Sequence, residues 1–143
     1  FWFKKIKDPK KYLTKKIKKI AKKINFLKGK SIVFTILLTN SLNIKRLNKK
    51  FRKNNNITDV LSFPFFSEKK LNFKKEKPLY VGDIAVCYQV INSRSKKNSF
   101  YLEFDKAWIH GFLHLLGYDH IKNKDYFKMR KIEKKIINPN VYE

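Results

Sequence analysis

"HGFLHLLGYDH", residues 110–120, contains every histidine of this chain of 143 residues. The stretch completes a longer segment, Phe100–Leu116, in which apolar residues recur at the spacing of an α-helix. Gly117 follows directly and is suited to end that helix, because glycine adopts a left-handed backbone conformation at no steric cost. The sequence therefore predicts a helix in the C-terminal half that carries histidines at its end.

The spacing of the three histidines predicts a metal site. His110 and His114 are four residues apart, so both rings emerge from one helix face, and the turn after the helix gives His120 a route to the same point. Imidazole nitrogen suits one zinc ion, although another divalent transition metal would also fit. A structural zinc would normally have a fourth protein ligand, and the single cysteine, Cys87, is remote in sequence. An open, catalytic type of site is therefore favoured.

The same histidine frame occurs in zinc proteases of the pattern H-x-x-x-H-x-x-G-x-x-H. Those enzymes require a glutamate directly after the first histidine, as the base that takes a proton from water, and this chain has Gly111 there. The predicted chemistry therefore differs from peptide hydrolysis. Asp119 is either a metal-related carboxylate or a turn residue. Met129, the single methionine, is predicted to be a packing residue.

Hydrophobic periodicity and turn residues predict the elements around this helix. The predicted helices are one that begins at Asp8-Pro9 and reaches Ile24, one capped by Ser41 and ending near Phe51, and a last helix at 124–137. The predicted strands are one at 31–38 buried on both faces, a short one within 58–65, and one at 79–91 with a bulge or close approach at Gly82. Loops are predicted at 67–78 and 92–99. No repeat or linker divides the chain, so residues 1–143 are predicted to form a single domain.

The first of these helices is strongly amphipathic, and its two faces allow two interpretations. Leu13, Ile17, Ile20 and Ile24 form an apolar stripe, while lysines occupy most of the opposite face. The helix either packs its stripe on a sheet and leaves the lysines in water, which is the ordinary arrangement, or lies on a membrane or on RNA.

The balance of charge indicates a polyanionic partner. Lysine and arginine number 35 against 11 acidic residues, which gives a net charge of +24, and nucleic acid is the usual partner for such a surface. An alternative origin is A+T-rich coding, since lysine is abundant and only four of the basic residues are arginine. Arg52, one of those four, is therefore either a bidentate phosphate binder or an ordinary exposed arginine.

Other function classes are excluded by composition. The longest apolar run, "IVFTILL" at 32–38, is far shorter than the roughly 20 residues that span a bilayer, so no membrane association by a spanning helix is expected. A single cysteine cannot form an internal disulfide, which agrees with a reducing, cytoplasmic location. Because the chain starts at Phe1 rather than methionine, we expect a short leading segment, such as a first strand, to precede it.

Three segments together resemble the YbeY family of bacterial rRNA maturation endoribonucleases. "HGFLHLLGYDH" is similar to the family signature H-G-x-L-H-L-x-G-Y-D-H at every fixed position. "LNKKFRKNNNITDVLSFPF" at 47–65 resembles the arginine-containing segment before T-D-V-L-S-F-P, and "GDIAVC" at 82–87 resembles the G-D-I-x-x-C strand. The segment after "GDIAVC" departs from the family, which is usually acidic and alanine-bearing there.

The resemblance implies an α+β fold, in which a small mixed β-sheet is packed with helices and a zincin-like ligand frame lies at the end of the histidine helix. It implies a zinc ion held by His110, His114 and His120, with Arg52 as the catalytic or substrate-binding arginine. It further implies cleavage of single-stranded RNA in maturation of the 3′ end of 16S rRNA and in ribosome quality control, with the small ribosomal subunit and assembly proteins as partners. For Asp59, Ser62 and Asp83, which occupy motif positions, we predict support of the fold.

The predicted mechanism is metal-assisted phosphodiester cleavage, in which Arg52 stabilises the charged transition state and lysines align the RNA backbone. Two other functions remain open at this point. One is a metal-dependent protease or other amide hydrolase, which the histidine frame favours and Gly111 opposes. The other is a non-catalytic RNA-binding ribosome assembly factor, in which the metal only holds the last helix in place.

Overall fold

The chain forms helices packed on a small sheet. The structure is a computed structural model, and it describes residues 1–24, 27, 29–66, 78–118 and 123–138. The elements within these ranges are α1 (Trp2–Lys5), α2 (Pro9–Lys23), β1 (Ile32–Thr39), α3 (Ser41–Arg52), β2 (Val60–Pro64), β3 (Leu79–Cys87), α4 (Tyr88–Arg94), α5 (Phe100–Leu115) and α6 (Asn123–Ile136). The loop predicted at 67–78 falls almost entirely outside the described residues.

The described strands form one mixed sheet in the order β1-β3-β2. β1 is parallel to the central strand β3, and β2 is antiparallel to it. The register between β1 and β3 shifts at Val33/Phe34, which leaves Val81 as an extra residue beside Gly82. Gly82 has φ +138°, and a Cβ atom there would clash with the carbonyl oxygen of Phe63 on β2. The mixed sheet confirms the predicted α+β class, and the bulge confirms the prediction at Gly82.

Helices cover both faces of the central strand, and the buried residues accordingly form two clusters. Ile84 and Val86 of β3 belong to the larger cluster, with α5, and the intervening Ala85 belongs with Cys87 to a smaller cluster against α3. Successive strand residues point to opposite faces, so β3 is buried on both.

The prediction that the strand at 31–38 is buried on both faces is wrong. Its residues alternate between partly buried and exposed positions, and Val33 and Leu37 are 48% and 50% exposed. β1 is an outer strand of the described sheet, and its apolar side chains that face inward, such as Phe34, pack on the larger cluster. A continuous apolar run cannot show whether the second face will be covered, because coverage depends on where α3 lies.

The central element of the larger cluster is α5, which is buried around most of its circumference. Its fully buried Asp105 accepts hydrogen bonds from Trp108 Nε1 at 2.8 Å and from the Tyr12 hydroxyl at 2.8 Å, and lies 3.2 Å from Lys16 Nζ. A buried carboxylate is stable only with such partners, because removing a charge from water is costly. Tyr12 and Lys16 belong to α2, so this carboxylate links the two helices and fixes the rotation of α5.

The start of α2 follows the sequence, whereas the start of α3 differs by one residue. Asp8 accepts a hydrogen bond from the Lys11 amide at 3.1 Å, as the prediction requires. In α3, however, the cap is Asn40, whose side chain accepts from the Asn43 amide at 2.9 Å, and Ser41 is the first helical residue. Both residue types suit the position, and the extended backbone of Asn40 decides between them.

The predicted strand at 79–91 is too long. β3 ends at Cys87, and residues Tyr88–Arg94 form α4, which also replaces the start of the loop predicted at 92–99. Val90 and Ile91 are β-branched and locally favour a strand. Ile91 is fully buried in the core, so packing outweighs this weak local preference.

The apolar stripe of α2 is part of the core, which confirms the packing interpretation. Ile20 and Ile24 are each 4% exposed, and Leu13 and Ile17 pack against the same cluster. Met129 of α6 is 2% exposed in that cluster, as predicted. Within the described ranges, none of the helices has the length and apolar character needed to cross a membrane.

Candidate metal centre

His110 and His114 bring two ring nitrogens together at the end of α5. Their Nε2 atoms are 3.1 Å apart, and the two rings lie nearly perpendicular, at 83°, with centroids 4.7 Å apart. Both rings belong to a helix whose rotation is fixed by core packing, so the two nitrogens are presented from a rigid element.

The end of α5 has the hydrogen-bond pattern that reverses a chain. Gly117, with φ +96°, donates its amide to the His114 carbonyl at 3.0 Å, and the Tyr118 amide donates to the Leu113 carbonyl at 3.0 Å. This pair of bonds is a Schellman motif, which confirms the predicted role of Gly117. The following residues, including Asp119 and His120, lie outside the described residues.

The pair of nitrogens fits two ligands of one zinc ion. Two nitrogens at the usual distance from a tetrahedral zinc are separated by about 3.3 Å, close to the observed 3.1 Å, which is also a hydrogen-bond distance between the rings. In the part of the chain that the structure describes, no group of three or more His, Cys, Asp or Glu side chains could hold a metal ion. The three-histidine site therefore stays a prediction, with two of its ligands suitably arranged.

A carboxylate from the last helix contacts the other side of the His110 ring. Glu133 Oε1 lies 2.8 Å from His110 Nδ1, while the Nε2 atom of the same ring faces His114. The Glu133 side chain is 19% exposed and the His110 side chain 37%. No pattern in the sequence indicates this contact, because the two residues are 23 positions apart and Glu133 stands in a lysine-rich helix.

Gly111 lies at the closest approach of α5 to the sheet. A Cβ atom built there would be 3.0 Å from each of three atoms, Val60 Cγ2, Ser62 Oγ and Ile84 Cγ2. Position 111 is therefore directed at β2 and β3, and a glutamate there would require the sheet to move. The sequence predicts that the missing glutamate changes the chemistry. In the structure, close packing against the sheet also disfavours a glutamate at position 111.

Ser62 connects the histidine helix to the predicted catalytic arginine. Its hydroxyl donates to the Gly111 carbonyl at 3.1 Å, directly beside His110, and its own carbonyl accepts from Arg52 Nη2. The Arg52 guanidinium also lies over the Phe63 ring, 5.7 Å from its centroid. Arg52, at the end of α3, is thus held against β2, the strand that contacts the histidine-bearing end of α5.

Asp59 and Asp83, the other acidic motif residues, contact protein groups. Asp59 accepts from the Val60 amide at 2.8 Å and from Arg94 Nη1 at 2.6 Å, which ties the start of β2 to α4. Asp83 is exposed and accepts a hydrogen bond from the Tyr80 hydroxyl, and this bond raises the pKa of Tyr80 above its usual value. These contacts suit the predicted role in supporting the fold.

Tyr118 is a further group beside the histidine helix. Burial raises the pKa of its hydroxyl above the usual tyrosine value. It follows Gly117, and its amide belongs to the hydrogen bonds that end α5.

The fold and the site define a small α+β protein in which a histidine-bearing helix packs on a mixed sheet beside an arginine. The chain belongs to the YbeY family, since the model of Endoribonuclease YbeY matches residues 3–140. It is 53% identical over 136 residues to the Endoribonuclease YbeY of Pelagibacter ubique, covering 92% of this chain and 84% of that protein. It is 39% identical over 137 residues to that of Buchnera aphidicola, covering 88% and 85%.

A solved structure has a similar fold. The solution structure of TM1509 from Thermotoga maritima superposes with a TM-score of 0.55 at 28% sequence identity. The match covers 88% of this chain and 79% of that one.

Proposed function

We propose that this chain is a zinc-dependent, single-strand-specific endoribonuclease that acts in rRNA processing, in maturation of the 3′ end of 16S rRNA and in ribosome quality control. The observation that carries the proposal is the pair of converging histidine nitrogens on α5, in a chain that belongs to the YbeY family. The proposed substrate is single-stranded RNA, and the proposed partners are the small ribosomal subunit and its assembly proteins.

The residues proposed to hold the metal are His110, His114 and His120, and the 3.1 Å separation of the first two Nε2 atoms supports this assignment. A bound zinc ion would supply Lewis-acid catalysis at a phosphodiester. Another divalent transition metal would satisfy the same nitrogen ligands, so the identity of the ion is part of the test.

Arg52 is proposed to bind the phosphate and to stabilise the negative charge that develops on its oxygens. A guanidinium has five N–H donors, so the bond to the Ser62 carbonyl leaves others for a phosphate. The contacts with Ser62 and the Phe63 ring restrict its orientation before RNA binds, which lowers the entropic cost of holding it in place.

The experiment compares the wild-type protein with H114A, R52A and R46A for zinc content, RNA binding and cleavage of single-stranded RNA. We expect H114A to lose both zinc and cleavage. We expect R52A to keep zinc and to lose about 10²- to 10³-fold in kcat, as for removal of one preorganised donor to a transition state, with a smaller loss of RNA affinity. R46A removes the same charge from an exposed position of the same helix and should cleave normally.

Different results would assign a different function. Hydrolysis of casein without cleavage of RNA would support the amide hydrolase. Binding of RNA without cleavage by the zinc-loaded wild type, together with normal ribosome assembly by a folded H114A protein, would support the non-catalytic assembly factor. An R52A protein that cleaved bound RNA at the wild-type rate and only bound it weakly would remove Arg52 from the chemical step.

A further inference from the structure

We propose that Glu133 is a positioning residue for His110, fixing which of the two ring nitrogens is presented to a metal ion. The inference rests on the proposed metal centre and adds a residue from α6 to it. It starts from two distances on one imidazole ring: Nδ1 lies 2.8 Å from Glu133 Oε1, and Nε2 lies 3.1 Å from His114 Nε2.

The carboxylate selects the tautomer of His110. An ionised carboxylate can only accept hydrogen bonds, so Nδ1 of His110 must carry the proton that the contact with Glu133 requires. In the neutral ring Nε2 is then the unprotonated nitrogen, and that atom is the one that faces His114. A histidine ligand binds a metal through an unprotonated nitrogen, and a carboxylate at the other nitrogen fixes the ring and increases its basicity.

The packing of α6 holds the carboxylate at this place. Met129 and Ile136, which flank Glu133 along the helix, are 2% and 9% exposed in the main core. The Glu133 side chain is itself mostly shielded from water, at 19% exposure, and a shielded hydrogen bond is stronger than one in bulk solvent. The last helix therefore does more than complete the core, since it delivers a carboxylate to the predicted metal ligand.

The contact alone does not distinguish a positioning role of Glu133 from a purely structural one, because a Glu–His pair would also join α6 to α5. The two roles predict different effects on metal binding. A structural pair would act only through the docking of α6, so any substitution that loosens the helix to the same extent would have the same effect. A positioning residue would affect zinc affinity beyond the effect of loosening.

The test measures zinc affinity by competition with a chelator for the wild type, E133A, E133Q, I136A and H114A, with thermal unfolding of each protein. We expect E133A to bind zinc roughly 10- to 100-fold more weakly. E133Q keeps an acceptor oxygen for Nδ1 but not the charge, and should recover part of that affinity. I136A removes packing from the same helix and keeps both partners of the Glu133–His110 contact, so it should lower the unfolding temperature and leave the zinc affinity nearly unchanged.

A second measurement reports the tautomer directly. In ¹⁵N spectra of the metal-free proteins at a pH where the ring is neutral, His110 should be protonated at Nδ1 in the wild type and shift toward Nε2 protonation in E133A. The inference is overturned if zinc affinity and tautomer are the same in E133A and wild type, or if I136A weakens zinc binding as much as E133A does. A failure of the proposed metal centre would be recognised by a different result, because the wild type would then bind zinc no better than H114A. That result would also overturn the proposed role of Glu133.

Discussion

For Gly111, the sequence predicts the chemical consequence of the residue but not its role in packing. In the sequence it occupies the place of a protease glutamate and therefore argues against peptide hydrolysis. In the structure its Cα faces Val60, Ser62 and Ile84 so closely that any side chain would press on the sheet. Spacing in the sequence could not give this reason, because the three neighbours lie on strands far from the helix in the chain.

Substitution G111A is expected to lower the free energy of unfolding by up to about 2 kcal/mol, because overpacking costs roughly 1–3 kcal/mol and the higher helix propensity of alanine offsets about 1 kcal/mol of it. Urea denaturation of the two proteins measures the difference. T14A, at an exposed position of α2, is the control for introducing alanine into a helix; the hydrogen bond of its hydroxyl to the Lys10 carbonyl is exposed, so the substitution should be nearly neutral or stabilising. A G111A protein more stable than wild type by about 1 kcal/mol, the full gain in helix propensity, would mean that α5 and the sheet are not in close contact there.

At the scale of secondary structure, the beginnings and ends of helices depend on hydrogen bonds made within a few residues. Asp8 and Gly117 act as predicted, since the capping hydrogen bond that each makes lies within its own helix end. The start of α3 shows the limit of such patterns, because Asn40 and Ser41 are adjacent and both are common capping residues. Their backbone conformations decide which of the two caps the helix. The Ser41 hydroxyl oxygen does not cap and lies 3.6 Å from Cys87 Sγ.

Substitution N40A should therefore destabilise the protein by about 0.5–2 kcal/mol, the usual cost of losing a helix cap, while S41A should change stability by less than about 0.5 kcal/mol. Chemical denaturation of the two variants, followed by circular dichroism, provides the comparison. If S41A were the more destabilising of the two, the cap would be Ser41, as the sequence predicted, and not Asn40.

For the whole molecule, the dominant physical property is its charge of +24. The structure shows that the lysines of α2 lie mainly on its solvent face, since the apolar stripe packs into the core. Such a surface would bind RNA through its phosphates, and each neutralised phosphate releases counterions. A+T-rich coding can contribute lysines to the composition, but it does not alter the electrostatic effect of the lysines that are present.

The affinity of the protein for single-stranded RNA should therefore fall linearly on a log–log plot against salt concentration, with a slope of about −0.7 for each phosphate contacted. Binding curves between low and physiological salt measure this slope. H114A should have the same slope as wild type, because the metal site adds little to the lysine-dominated contacts. A nearly flat dependence in the wild type would contradict phosphate contacts as the main source of affinity.

The sequence by itself determined the features that depend on neighbouring residues: the histidine helix and its end at Gly117, the bulge at Gly82 and the cap at Asp8. Composition made Arg52 a candidate phosphate binder, as one of only four arginines, and the family resemblance added its predicted catalytic role and the α+β class before any contact was known.

Only the tertiary structure decided which strand is buried on both faces, that Tyr88–Arg94 is helical, that Ser62 joins Arg52 to the histidine helix, and that Glu133 reaches His110. The physical reason is the range of the interactions. Backbone hydrogen bonds and side-chain periodicity act over a few residues and are visible in the order of amino acids. Burial and contacts between distant segments depend instead on how the elements pack around one core.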